Sequence, residues 1–571
     1  MPPSVPLSLF EAWQEAPADD ELRLVPIGGL GEFGMNALAV HTAKSLFLVD
    51  CGQLFPSDDE PGIDSIVPDF AYLEPFADRI DAVLLTHGHE DHLGALPYFL
   101  ERWPVPVYGT AFTLGLLEGK LREFGLDRSL LRRVEDFQRL PVGCGEIEAE
   151  WIPITHSIPD ACALALHTPW GVILHSGDFK LDATPTDGRL TGVARLKALG
   201  DEGVALLMSD STNVMRSGWS PSEEACREGL REAFRRTSGK LFVALFSSHI
   251  HRLQTLLDLA FEENRVVVPL GRSLERNIAV ARELKRLRLP DDLFIQPNEA
   301  PLFAPNRILT LCTGSQGEAM SATARLLRRE VKGLAIERGD RLVLSSRAIP
   351  GHEVAISKML DEAARQGAET DTETLGTVHV SGHGQREEAA ELIRWTRPRW
   401  MMPVHGTYRH LQAHGRIAEE LGWSSDRVLL VEGGTCIRFR HGHEPEIPGS
   451  VPVGKYFVDQ GVEHRVDARV VRDRLILQED GIVIVTLVID GATGELASDP
   501  AILTRGFVVL SDDEAYSDLL RNAARKAFEE APPEVRQDKD LLIELLRQTL
   551  RRIIRKTTET RPMVVPMLLE A

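Results

Sequence analysis

Paired cysteines are missing from this chain. Its six cysteines (Cys51, Cys144, Cys162, Cys226, Cys312 and Cys436) are widely scattered and none forms a CxxC pair. That argues against a thiolate zinc site and against a disulfide framework, and it points to free thiols in a reducing compartment. Long apolar runs are missing too. No stretch reaches the roughly 18 residues needed to span a bilayer, and the Pro-rich, acidic start from Met1 to Asp20 has no basic flank leading into an apolar stretch, unlike a secretory leader. Positive charge is scarce: 64 Lys and Arg against 85 Asp and Glu leave a formal charge of −21. A nucleic-acid partner usually leaves a basic footprint, so the balance speaks against one. It does not forbid one, since a channel needs positive potential only locally. No repeat and no low-complexity tract is present. The expectation is a folded, cytoplasmic protein with no membrane partner.

What is present is material for several cores. The chain has 571 residues, 43% of them hydrophobic, and at roughly 150 residues per domain this allows about three or four units. From residue 22 to 215, short apolar runs broken by Gly and Pro read as strands, with Ala163–His167 and Val172–Leu174 forming a hairpin through Pro169, Trp170 and Gly171. Helical stretches intervene at Leu93–Arg102 and Ala111–Phe124. From 216 to 375, longer helical patterns alternate with strands, which predicts a second α/β domain built on a parallel sheet. Strand-like texture returns at Thr377–Val380 and Trp400–Val404, so the second domain reads as an insertion into the first, whose second part spans 376–440. Residues 1–21 form an N-terminal extension and 441–459 a linker, of which His441–Gly454 is rich in Pro and Gly. A smaller α+β domain follows over 460–571, with strands Gly481–Ile489 and Ala501–Leu510 and helices Asp512–Glu530 and Lys539–Lys556. The early Gly28-Gly29-Leu30-Gly31-Glu32-Phe33-Gly34 lacks the spacing and the following helix of a dinucleotide loop and reads as a turn between strands.

Chemistry concentrates in Thr86-His87-Gly88-His89-Glu90-Asp91-His92. The strand Asp81–Leu85 should end at Thr86. His87 and His89, two apart in extended backbone, then point the same way, and Asp91 and His92 sit at the mouth of a helix. The first pair can hold one ion and the second pair another, and imidazole with carboxylate suits zinc or manganese. Further donors stand at other strand ends. These are His156, Asp178 as a carboxylate able to bridge both ions, and His405, with Asp50 placed to orient the histidines from behind.

On these residues the chain resembles the metallo-β-lactamase-fold nucleases of the β-CASP group, most closely the bacterial ribonuclease J family. The match runs through Asp50, His87-x-His89-x-Asp91-His92, His156 and Asp178 to Asp210 in Ser209-Asp210-Ser211-Thr212, His383 in His379-Val380-Ser381-Gly382-His383-Gly384, and His405 in Pro403-Val404-His405-Gly406. It covers nearly the whole chain from about residue 22. The resemblance implies an αββα sandwich with an inserted β-CASP domain. It implies one ion held by His87, His89, His156 and Asp178, and a second by Asp91, His92, Asp178 and His405. A further divalent ion near Gly62, Asp64 and Asp459, a homodimer supported by the C-terminal region, an RNA-degradation complex and single-stranded RNA with 5′-monophosphate ends are implied in the same way.

The expected reaction is hydrolysis of RNA phosphodiesters to 5′-phosphate products, by 5′-to-3′ exonuclease and endonuclease modes, in RNA maturation and decay. Two divalent ions activate a water and neutralise phosphate charge. Asp91 is the candidate proton acceptor, Asp210 a catalytic acidic residue, and His383 either binds the scissile phosphate or protonates the leaving oxygen. Phosphate donors are expected from the His379–His383 run, including Val380, Ser381 and Gly382, and from Ser247 and His249 at the head of a helix. Similar turns, Gly271-Arg272-Ser273 and Ser345-Ser346-Arg347, follow other strands. Two other functions compete: a thioesterase-like hydrolase on the same metal frame, which would not need the insertion or His383, and a non-catalytic RNA-binding subunit, which would usually have lost ligands.

Overall fold

A computed structural model describes residues 13–57, 59–288, 290, 292–349, 351–370, 373–459, 464–507 and 513–571. The chain forms two compact units, one of residues up to Leu54 with Val67–Lys455, the other of Phe55–Ile66 with Tyr456–Ala571.

In the larger unit two sheets face each other. One runs Glu446–Ser450, Thr435–Arg440, Glu21–Gly28, Ala37–Thr42, Leu46–Val49, Ile80–Leu84, Val107–Gly109 and Leu131–Arg133 in spatial order. The other runs Trp400–Val404, Val204–Asp210, Gly171–His175, Cys162–Thr168, Ile147–Pro153 and Arg139–Val142. Their inner faces share one core in which Leu22, Leu38, Phe47 and Leu84 meet Trp151, Leu164, Met208 and Met402. Helices cover the outer faces: Ala111–Glu123 lies against Val107–Gly109, while Arg386–Thr396 and Tyr408–Glu420 pack on Val204–Asp210 and Trp400–Val404. Strands covered on both sides should be continuously apolar rather than alternating, and every residue of Val204–Asp210 is buried.

Asp210 ends one strand of this sandwich, and the next strand of the same sheet, Trp400–Val404, pairs beside it in parallel with Asp210 opposite Val404. Between them the chain builds a separate sheet, Val266–Leu270, Ile308–Cys312, Leu241–Ala244 and Arg341–Leu344, with all pairings parallel. The inserted parallel sheet and the layered α/β class therefore agree with the sequence pattern.

Local differences have local causes. The expected helix Leu93–Arg102 is two short helices, Glu90–Leu93 and Leu96–Leu100, with a proline opening the second. The expected strand Thr377–Val380 is irregular backbone, because the Val378 carbonyl is taken by side chains, Arg252 Nη1 at 2.7 Å and Ser345 Oγ at 2.7 Å. Within the expected linker, Glu446–Ser450 turns back to pair with Thr435–Arg440.

The smaller unit places Ile482–Ile489 between Ala501–Arg505 and Met563–Glu570. Val483, Val485 and Leu487 alternate onto the face covered by the helix Lys539–Thr558, whose Leu542, Leu546, Leu550 and Ile554 recur every four residues and are fully buried. Asp538 caps that helix by accepting from the Asp540 and Leu541 amides. Residues 508–510 of the expected strand and 512 of the expected helix lie outside the described residues, as does 1–12 of the N-terminal extension. Among the described residues, no helix is long and apolar enough to cross a membrane.

Candidate metal centre

The strands Leu46–Val49, Ile80–Leu84, Ile147–Pro153, Gly171–His175, Val204–Asp210 and Trp400–Val404 all end on one edge of the sandwich. Each is followed within a few residues, or ended, by a titratable side chain. Two of these turns use left-handed backbone, Asp50 at φ 59° and His405 at φ 55°. That conformation is uncommon outside glycine and clusters at functional sites. It re-aims both side chains back over the strand ends.

Three groups of donors converge there among the described residues: His87, His89, His156 and Asp178; Asp91, His92, Asp178 and His405; and Asp178, Asp210, His383 and His405. Within each, the nearest donor atoms all lie within 4.8 Å of one another. In the first group His89 Nδ1 stands 3.0 Å from His87 Nε2 and 3.1 Å from His156 Nε2. Asp178 Oδ2 stands 3.7 and 3.8 Å from the same two nitrogens. Its other oxygen, Oδ1, faces the second group, 3.3 Å from His92 Nε2 and 2.7 Å from His405 Nδ1. Asp91 Oδ2 closes that group at 3.7 Å from His92 Nε2 and 3.3 Å from His405 Nε2. One carboxylate thus offers one oxygen to each side.

Neighbours fix the rings. Asp50, buried at 1% exposure, accepts from the Thr86 amide, the Thr86 hydroxyl and His92 Nδ1, each at 2.8 Å. His92 is left with Nε2 as its ligand atom. His156 Nδ1 donates to the Gly382 carbonyl at 2.7 Å, again leaving Nε2 forward. Asn36, between the first two strands, reaches the Asp91 carbonyl and His92 Nε2, both at 3.1 Å. Gly52 lies so close that a Cβ there would sit 1.7 Å from the Asp91 carbonyl oxygen. Trp151, fully buried, donates from Nε1 to the Leu85 carbonyl at 3.0 Å, tying the opposite sheet to the start of the histidine run.

The electrostatics separate the two groups. Burial first, and neighbouring imidazoles second, push His87 and His156 well below the ordinary histidine range, and His89 down to about 4. Their lone pairs are free at neutral pH. In the second group burial opposes charge but is outweighed. Asp178, Asp91 and Asp50 hold His92 well above its ordinary value, and Asp178 with Asp91 hold His405 up to about 10. Against the same burial, His405, His92 and His383 keep Asp178 ionised.

Asp210 Oδ2 accepts from His383 Nδ1 at 2.8 Å, and its Oδ1 accepts from the Thr212 amide and hydroxyl at 2.9 and 2.6 Å. His383 Nε2 is turned toward the centre, 3.9 Å from Asp178 Oδ2. Burial opposes its charge, and Asp210 and Asp178 outweigh it, so His383 titrates above the ordinary range. Ser381 Oγ accepts from the His383 amide at 3.1 Å, and Val380 is buried. His379 lies beside His249, ring centroids 6.4 Å apart, and His249 Nδ1 caps its helix by accepting from the Arg252 amide. Ser247 Oγ accepts from Asn277 at 3.3 Å. Ser247 and His249 follow a strand of the inserted domain and His379 packs beside His249, and none of the three is among the converging donors. In the smaller unit, Arg474 donates to the Gly62 carbonyl at 2.9 Å and pairs with Asp459 at 2.9 Å, while the Asp64 amide donates to Val458. Arg474 thus stands beside the residues where a further divalent ion was expected. Asn36 and Gly52 carry no motif, and sequence reading missed their part in the centre.

Residues 238–363 match the family described as Ribonuclease J, beta-CASP domain, and 469–571 the Ribonuclease J C-terminal domain. Residues 30–272 match the metallo-beta-lactamase superfamily and 373–427 the Zn-dependent metallo-hydrolase RNA specificity domain. The chain is 37% identical to Ribonuclease J of Mycolicibacterium smegmatis over 96% of its own length and 97% of that protein. It is 39% identical to Ribonuclease J of Mycobacterium tuberculosis over the same shares, 96% and 97%. It is 34% identical to Ribonuclease J2 of Bacillus subtilis over 96% and 99%. A crystal structure of a protein of unknown function from Enterococcus faecalis V583 shares the fold, with TM-score 0.51 and 16% identity, across 73% of this chain and 100% of that one.

Proposed function

The chain belongs to the ribonuclease J family, and on that premise we propose that it is a metal-dependent ribonuclease that hydrolyses single-stranded RNA at a two-cation centre. The observation that carries the reading is the Asp178 carboxylate, one oxygen directed to each of two donor groups. The donor chemistry fits the ions: three imidazoles with Asp178 on one side, and two imidazoles with Asp91 and Asp178 on the other, are nitrogen and carboxylate sets that suit zinc or manganese. His87, His89, His156 and Asp178 would hold one ion, and Asp91, His92, Asp178 and His405 the other. Bound there, two divalent ions polarise the phosphoryl oxygens and lower the pKa of water.

The chain's own residues do the rest. Asp91 is placed to take the proton of the attacking water. Asp50 and Gly382 fix which nitrogen His92 and His156 present. Asp210 fixes His383 with its Nε2 forward, where it binds the scissile phosphate or returns a proton to the leaving 3′ oxygen, giving a 5′-phosphate product. The amides and hydroxyls of His379–His383, with Ser247 and His249, line the approach for phosphates. On this reading the positive potential is local, in keeping with a chain of charge −21.

We place the metal fold in residues 22–215 and 376–440, the insertion in 216–375, the linker in 441–459 and a dimerising domain in 460–571. The activity is 5′-to-3′ exonucleolytic and endonucleolytic, prefers 5′-monophosphate ends, and serves cytoplasmic RNA maturation and decay within an RNA-degradation complex. The test is digestion of one RNA carrying 5′-monophosphate, triphosphate or hydroxyl ends with zinc, magnesium or manganese added. Mononucleotides released first from the monophosphate RNA support the reading. Cleavage of a thioester with no cleavage of any RNA overturns it.

A further inference from the structure

Arg252 is among the largest fully buried side chains of the protein, at 0% exposure, yet it lies in the inserted domain, on the helix Ile250–Glu262, and touches none of the converging donors. Its guanidinium is spent in two directions. Nε and Nη2 grip the Glu223 carboxylate, the latter at 3.1 Å. Nη1 donates to Ser345 Oγ and, at 2.7 Å, to the Val378 carbonyl. Ser345 Oγ donates to the same carbonyl at 2.7 Å. Val378 therefore receives two donors, both from the insertion, one of them charged.

Val378 lies near the start of the irregular stretch 376–385 that carries His383. Within it the Gly382 carbonyl accepts from His156 Nδ1 and the His383 ring is held by Asp210. The His383 carbonyl accepts from Ser220 Oγ at 2.9 Å and Asn213 Nδ2 at 3.3 Å. The segment lies in no sheet, so its path depends on such side-chain anchors at both ends. The anchor at its start is Arg252. Burying a guanidinium is costly unless every donor is matched: two of its four hydrogen bonds go to Val378 or to Ser345, which bonds Val378, and the other two to Glu223.

We propose that Arg252, with Glu223 and Ser345, is a positioning residue that couples the inserted domain to the metal centre by fixing where His383 stands. This rests on the reading of His383 given above. A lysine keeps the charge but presents three donors from a single atom and cannot repeat the planar fork. Displacing a reacting group by about 1 Å costs on the order of 10²-fold in rate. Accordingly Arg252→Gln lowers kcat on single-stranded RNA by about that factor with KM changed less than about threefold, and Arg252→Lys restores only part of it.

The decisive measurement is a double-mutant cycle with His383→Ala in the manganese-loaded, full-length protein, with metal content and thermal unfolding measured for each variant. Arg252→Gln adding no further loss of kcat in the His383→Ala background, at unchanged metal content, supports the proposal. Losses that multiply, or a loss that tracks lost metal, overturn it. Ser345→Ala removes the second donor to Val378 and leaves the ion pair intact. It serves if Arg252→Gln does not fold, with the same two outcomes, a smaller loss of kcat that either vanishes in the His383→Ala background or persists there. Unaltered protein that cleaves no RNA would refute the ribonuclease reading itself, whereas multiplying losses in an active enzyme refute only this coupling.

Discussion

Replacing Asp50 by asparagine changes one oxygen to an amide nitrogen and leaves shape almost untouched. Oδ1 can still accept from the Thr86 amide, as it does at 2.8 Å. The other atom now carries hydrogens and faces His92 Nδ1, which stands 2.8 Å from Oδ2. Two donors cannot share that line. His92 must carry its proton on Nε2 instead, the nitrogen that faces Asp178 at 3.3 Å. A protonated Nε2 is no ligand, so the second group loses one of its four donors. Disturbing such an outer hydrogen bond typically costs 10- to 100-fold in metal affinity, about 1.4–2.7 kcal/mol. The first group keeps its tautomers, since His156 is fixed by Gly382. The expected result is one ion retained and one weakened by that factor, read by competition with a chelator of known affinity and by elemental analysis. Because Asp50 is buried and accepts from three donors, unfolding by urea should also shift by about 1.5–3 kcal/mol. Two ions bound as tightly as in the unaltered protein would refute the argument that Asp50 selects the His92 tautomer.

Four more outcomes follow from the geometry. Gly52→Ala would place a Cβ 1.7 Å from the Asp91 carbonyl oxygen and 2.7 Å from the His92 amide nitrogen, so it should cost about 1–3 kcal/mol in unfolding experiments and weaken the second ion most. Metal binding should release protons near pH 7, about two per chain, because His92 and His405 must surrender theirs; calorimetry in buffers of different protonation enthalpy measures this, and a release near zero contradicts it. Without metal, His405 carries a pKa raised from 6.5 to about 10. Its contribution to stability is then complete below about 6.5 and lost as pH rises through 10, so metal-free protein should melt earlier at pH 10 than at pH 7 by more than metal-loaded protein does. Trp151→Phe should cost about 1 kcal/mol for the Leu85 carbonyl left without its donor, and Trp151→Ala about 3–5 kcal/mol, by denaturant titration.

The parts of the centre that were legible in the sequence are those in which ligand and backbone signal coincide. His87, His89, Asp91 and His92 lie within six residues on one strand-to-helix turn, so spacing alone aims them. His156, Asp178 and His405 could be read because each follows an apolar run that ends at the same sheet edge. Residues that hold others in place leave no such trace. The Asn36 amide meets Asp91 across 55 positions, Arg252 meets Val378 across 126, and Glu388 accepts from the Ser220 amide across 168. Thr377–Val380 shows why apolar texture misleads: burial of Val378 and Val380 gives strand-like composition, while the hydrogen bonds that would make a strand go to side chains. The layered fold itself was legible because buried strands and amphipathic helices obey different periods.

Anomalous diffraction from crystals grown with manganese puts the shared carboxylate to the most direct trial. Two peaks should flank Asp178, one enclosed by His87, His89 and His156, the other by Asp91, His92 and His405. A single peak, or ions bound elsewhere while those side chains keep their present positions, would contradict the account.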